Sequence, residues 1–166
     1  LDTRLALIHE TADVDETATI GAGTQIWNYA QVREGAVIGA NCNIGSGVYI
    51  GVGVHIGDNC KILNNACIFE GAIVDDGVFI GPGCVIGNDK YPRAVDSDGK
   101  QVEPGEWRVW HTHIHSGASL GANSTVIPGL TVAAGAEIGA GAVLTKDALP
   151  YTLYVGNPAK EMGNAY

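Results

Sequence analysis

Three histidines alternate near the middle of the chain, His111, His113 and His115, and alternation places side chains on one face of an extended strand. Imidazoles so placed can ligate a metal, take a proton from a nucleophile, or contact a phosphate. Just before them, Asn88 and Asp89 open a polar and aromatic stretch with Lys90, Tyr91, Arg93, Lys100, Trp107 and Arg108. Those four basic residues are nearly half of the nine Lys and Arg in a chain of formal net charge −9. A local positive field in an acidic protein suits an anionic ligand, because local potential outweighs net charge at a site. Glu70 lies 18 residues before Asn88, a spacing that becomes meaningful below. Four cysteines, Cys42, Cys60, Cys67 and Cys84, have no close pair at zinc-type spacing and read as small apolar side chains, so no disulfide framework is expected.

The elements that must position these residues follow from a period of six. From Ile8 to Ile86, every sixth residue is Ile or Val, and the phase resumes at Ile114 and continues to Leu144. Four residues after nearly every such aliphatic stands a small or β-branched residue, as in Ala30, Ala36, Cys42 and Val48. Three residues after it stands Gly, Asn or Asp, apart from Thr11, Thr17 and Tyr29. Gly, Asn and Asp tolerate positive φ, so each hexad reads as a short strand and a left-handed turn. Three hexads close one triangular coil, and stacked coils pair their strands in parallel. The repeat predicts an all-β prism of between six and seven coils whose interior is a column of aliphatics. It accounts for most of the 24 glycines in a chain that is 46 % hydrophobic and therefore able to bury a core. In this register Thr112 and Ile114 point inward and His113 and His115 outward, with His111 near a turn. Glu70 and Asn88, one coil apart, stack on one edge.

The hexads stop between Gly87 and about Val109. A non-repeating excursion this long in a compact repeat is usually functional. One domain over 1–166 is expected, with this extruded loop at about 87–109 and a C-terminal tail at about 150–166. No apolar run reaches the roughly 18 residues of a membrane span, and the charged first dozen residues do not read as a signal peptide, so a soluble, cytoplasmic protein is expected. The acidic balance argues against nucleic acid as a partner.

The hexads over 8–86 and 114–149 resemble those of the hexapeptide-repeat acyltransferases, which implies a left-handed parallel β-helix. The runs Asp75-Asp76-Gly77-Val78-Phe79-Ile80-Gly81-Pro82 and Asn88-Asp89-Lys90-Tyr91-Pro92-Arg93 are similar to a subgroup that N-acetylates nucleotide-linked amino sugars. So are Ile26-Trp27-Asn28-Tyr29, Asn64-Asn65, the run from Gly139 to Asp147, and Val155-Gly156-Asn157-Pro158-Ala159-Lys160. The resemblance implies acetyl-CoA as acyl donor, no metal, a dTDP- or UDP-linked 3-amino sugar as acceptor, a homotrimer with its site between subunits, and a place in surface (lipopolysaccharide) polysaccharide synthesis. It further implies that Asn88 and Asp89 hold the acceptor amine. Glu70, Asn64, Tyr91, Arg93 and His113 would contact the sugar nucleotide. Gly121, Ala122, Gly139 and Ala140 would line the pantetheine groove, with Lys146 and Lys160 toward the CoA phosphates. Relatives acting on sugar hydroxyls carry a loop histidine as base; between Gly87 and Val109 there is none. A hydroxyl needs strong base help, whereas an amine of pKa about 8 is already partly neutral at pH 7, which favours an amine acceptor. Two alternatives stay open: a maltose- or galactoside-type O-acetyltransferase with His113 as base, and a zinc enzyme of the γ-carbonic-anhydrase type.

Overall fold

The structure is a computed structural model, and it describes residues 5–103 and 105–165; residues 1–4, Pro104 within the predicted loop and Tyr166 at the end of the predicted tail lie outside it. The described elements are strands grouped in three sheets, and the three sheets are the sides of a prism. Sheet I has nine strands, starting with Leu7–Ile8, Gln25–Ile26 and Asn43–Ile44. Sheet II has seven, from Asp13–Val14 to Val143–Leu144, and sheet III six, from Thr19–Ile20 to Thr131–Val132. Every third strand in sequence pairs in parallel, Lys61–Ile62 with Asn43–Ile44 on one side and Phe79–Ile80 on the other. This is the parallel β-helix predicted from the hexads.

The interior is the predicted column. Ile26, Ile44, Ile62, Ile80, Leu120 and Ile138 stack in sheet I with no exposed surface. Cys42, Cys60 and Cys84 are buried without disulfides, as expected of corner fillers, while Cys67, one residue past the corner, is half-buried in the strand Cys67–Ile68. The left-handed turns appear at Gly35, Asn41, Gly47, Asn59 and Asn65, each with φ between 56° and 67°. There the turn's N–H reaches the coil below, as Gly47 N–H donates to the Asn28 carbonyl at 3.0 Å. Thr11 and Thr17 solve the same problem with hydroxyls, which accept from Tyr29 N–H at 3.3 Å and Gly35 N–H at 2.9 Å. Tyr29 is left-handed despite its side chain, with φ 58°.

The prism is longer than the six to seven coils expected. The Ala148 bridge to Val132 completes a seventh coil, and Thr152–Val155 begins an eighth by pairing with Glu137–Ile138. The period shortens there, because Tyr154 rather than residue 156 stacks on Ile138. A six-residue count therefore loses the last strand. The tail then turns back, and Lys160–Asn164 pairs antiparallel with Thr152–Val155 across the end of sheet I.

The excursion leaves sheet II after Val85–Ile86 and enters sheet III at Thr112–Ile114. Its neck is closed by Trp110 N–H donating to the Asn88 carbonyl at 2.9 Å. Inside it, Val95 and Gln101 form an antiparallel bridge.

Candidate functional site

The outer face of sheet III, beside the root of the excursion, carries the densest chemistry. The Thr112–Ile114 strand pairs with Ala72–Val74 in the register Ile73↔His113 and Val74↔Ile114, and His55 lies opposite Ile73 on the next strand. Thr112 and Ile114 are buried, and His113 and His115 point outward half-buried, as predicted. Thr112 is fixed by its hydroxyl, which accepts from Gly129 N–H at 3.0 Å. Because Val74 and Ile114 share a level, Asp75 stands beside His115 and diagonally from His113. Its Oδ1 is 2.8 Å from His113 Nε2, and its Oδ2 is 3.0 Å from His115 Nδ1. The two imidazole rings lie 3.9 Å apart, tilted by 31°. Burial pushes the Asp75 carboxyl up, but hydrogen bonds and charge from His113, then His115, outweigh it and hold the pKa below its ordinary value.

Asp75 was not singled out as a partner of the histidines. Its signal was present: residues following paired aliphatics share a level. The excursion hides it, since Asp75 and His115 are 40 residues apart where ordinary neighbours on adjacent coils are 18 apart.

Two clefts flank this cluster. One, of about 180 Å³, is lined by His55, Gly57, Val74, Asp75, Asp76 and Ser116. The other, of about 500 Å³, is lined by Val52, Gly53, His55, Glu70, Gly71, Ala72, Ile73 and His111. Glu70 thus faces an amphipathic groove that the exit of the excursion helps to wall, with Gly71 against Val109 and His111.

The excursion has a cleft of its own, of about 460 Å³, whose lining includes Asp89, Tyr91, Arg93, Val102, Glu106 and Trp107. Asp89 Oδ1 accepts from Tyr91 N–H at 2.9 Å, an Asx turn at the start of the excursion. The Arg93 guanidinium donates to the Pro92 carbonyl at 2.9 Å and is otherwise exposed. Lys90 Nζ lies 4.8 Å and Arg108 Cζ 4.1 Å from the centre of the Trp110 ring, so two of the four basic residues spend their charge on an aromatic face. Trp107 Nε1 is buried without a partner.

The remaining candidates sit elsewhere on the prism. Asn64 is on the edge between sheets I and II, packed under Gly45, with its carbonyl accepting from Gly83 N–H at 2.9 Å. It therefore shares an edge with Gly121, Ala122, Gly139 and Ala140, and sheet II separates it from Glu70 and Asn88. Along this edge Gly121 packs against the backbone of Gly139 and Ala140. Lys146 is exposed on the other edge of sheet II, and Lys160 is exposed in the terminal hairpin. Within one chain, the residues assigned to the acyl donor are thus divided between locations.

The family described as bacterial transferase hexapeptide (six repeats) matches residues 17–51, 53–88 and 111–146, and the hexapeptide repeat of succinyl-transferase matches 35–70. The dTDP-3-amino-3,6-dideoxy-alpha-D-galactopyranose 3-N-acetyltransferase of Aneurinibacillus thermoaerophilus is 44 % identical over 52 residues, 31 % of this chain and 27 % of that protein. The curated relatives are matched over only about a quarter of their own length. Among solved structures, PerB from Caulobacter crescentus, in complex with CoA and GDP-perosamine, superposes with TM-score 0.60 at 21 % identity over 96 % of this chain and 58 % of its own. A maltose O-acetyltransferase from Clostridium difficile superposes equally well, with TM-score 0.60 at 20 % identity over 95 % of this chain and 72 % of its own. At such identity the likeness concerns the fold, and the fold is shared by acetylation of nitrogen and of oxygen.

Proposed function

Because the chain belongs to the bacterial transferase hexapeptide family, we propose that it is an acetyl-CoA-dependent N-acetyltransferase acting on a nucleotide-linked amino sugar. The observation that carries this reading is the excursion, which presents Asp89, Tyr91, Arg93 and Trp107 around a cleft and contains no histidine between Gly87 and Val109. An aromatic ring, a guanidinium and hydrogen-bonding carboxylates suit a nucleoside diphosphate sugar. In the reaction the neutral amine attacks the thioester carbonyl, forming the C–N bond and an oxyanion that backbone N–H groups stabilise. The C–S bond then breaks, and the CoA thiolate leaves and recovers, through water, the proton that nitrogen releases. Asn88 and Asp89 hold the amine, and orientation supplies most of the rate.

The divided donor residues favour a cyclic homotrimer, in which the edge of one chain bearing Gly121, Ala122, Gly139 and Ala140 meets the excursion side of its neighbour. Light scattering should give three chains per particle, and a monomer that is active at the same concentration refutes the shared site.

The test of the reaction is CoA thiol release across dTDP- and UDP-linked amino sugars, with the matching hydroxyl sugars and maltose alongside. Turnover of an amino sugar that falls sharply in Asn88→Ala supports the reading. Turnover of hydroxyl sugars alone refutes it. One observation favours that second outcome: the Asp75 carboxylate on His113 is the arrangement that turns an imidazole into a base for a hydroxyl. If O-acetylation is the activity, His113→Ala abolishes it.

A further inference from the structure

Neither acyl-transfer reading uses His115, nor explains why one carboxylate is shared between two stacked imidazoles. We propose that Asp75, His113 and His115 form a binding site for a divalent first-row transition metal of the zinc class. One ring nitrogen each of His113 and His115 and one Asp75 carboxylate oxygen all lie within 4.8 Å of one another. Two of these separations, 2.8 Å and 3.0 Å, are already short. Tetrahedral zinc with bonds of about 2.1 Å sets its ligands about 3.4 Å apart, so each group moves only a few tenths of an ångström to over an ångström. Two imidazoles and one carboxylate select zinc, nickel, cobalt or iron over magnesium or calcium, which prefer oxygen.

The backbone makes the site rigid. His113 and His115 share a strand whose intervening residue, Ile114, is fully buried, and Asp75 follows the fully buried Val74. No rotation of either strand can withdraw the three side chains from a common face. Their side chains remain 32–37 % exposed, so an ion can enter without any opening of the fold. The cleft lined by His55, Asp76 and Ser116 borders Asp75 and gives water a way to that carboxylate.

The ligands also straddle the break in the repeat. Asp75 lies in the chain before the excursion and the histidines after it, so a bound ion fastens Thr112–Ile114, the strand that receives the excursion, to its sheet neighbour Ala72–Val74.

The experiment is titration of the metal-free full chain with Zn²⁺ by calorimetry, and with Co²⁺ by visible absorption. One ion per chain is expected, with Co²⁺ developing the intense ligand-field bands of a low-coordinate nitrogen and oxygen site. His115→Ala and Asp75→Asn should each weaken uptake by about tenfold or more, with the melting temperature of the metal-free variants serving as the check on folding. His111→Ala and His55→Ala should bind as the parent does. The parent's melting temperature should rise with Zn²⁺ and that of His115→Ala should not. Failure of the parent to take up one ion per chain overturns the site, as does uptake that survives loss of His113 and His115 together. Equal weakening by His55→Ala overturns the three-ligand assignment. None of these readouts depends on acyl transfer, so the site stands or falls apart from the proposed reaction.

Discussion

The coils and the excursion are made from one chain under different constraints. In the coils each strand is held in register by the coil below and the coil above, and the inward side chain has no freedom. In the described part of the excursion the backbone is held by a closed neck, the Val95↔Gln101 bridge and local turns, and residues 91–101 are exposed throughout. Packing dictates residue type in the first region, while in the second it leaves type free for binding. The outer face of sheet III lies between these cases, because its backbone is fixed by the coils but its outward residues are unconstrained by the core.

The largest expected effect breaks the coils alone. Ile80→Ala removes a fully buried side chain from the middle of the column and should cost about 2–5 kcal/mol in urea denaturation. Val95→Ala, in the exposed excursion, should stay within about 0.5 kcal/mol of the parent. Similar losses in both would show that the excursion is part of the packed structure.

Gly57→Ala is next. A methyl there would lie 2.7 Å from the Asp76 nitrogen and 2.8 Å from the Asp75 carbonyl carbon. Backbone cannot yield as a side chain can, and a loss of about 1–3 kcal/mol is expected. Gly99 sits in the excursion with open space around it but φ of +78°, so Gly99→Ala should cost only about 1 kcal/mol through backbone strain. Equal melting temperatures for the two variants would contradict the close approach between coils.

These two glycines also show what could be read in advance. The hexad gave the strands, the inward column and the left-handed turns, because a period enforced by packing repeats in the letters. It missed the start of the eighth coil, where Thr152–Val155 leaves the period, and it missed Asp75, whose neighbour was displaced by the excursion. Glu70 and Asn88 stack on one edge, as the 18-residue spacing implies, while Asn64 lies on the edge across sheet II. Residue type suggests a role, but only register gives a location, and register is lost where the period is interrupted. The cleft inside the excursion was not legible at all, since its walls come from an irregular backbone that no repeat encodes.

An effect on function without one on stability is expected from Arg93→Ala. Arg93 lines the excursion's cleft and holds only a neighbouring carbonyl. Removing its charge should raise KM for the sugar nucleotide about tenfold, equivalent to about 1.4 kcal/mol, while the melting temperature stays put. An unchanged KM would move the nucleotide out of this cleft, and the amphipathic groove beside Glu70 and His111 would become the candidate.

The smallest effect tests how far the excursion is independent of the coils. Trp110 is the joint between them: its ring receives Lys90 and Arg108, and it packs on Gly129, where a methyl would lie 3.0 Å from the ring. Each cation on the ring is worth about 0.5–1 kcal/mol at an exposed site. Lys90→Ala and Arg108→Ala should therefore speed proteolytic cleavage within the excursion about two- to fivefold, by the populations that such energies imply when opening is fast. The melting temperature of the prism should not follow, because Trp110 stands outside the aliphatic column. If it falls in step with the cleavage rate, the joint transmits excursion opening into the coil at Thr112. The two regions would then unfold as one.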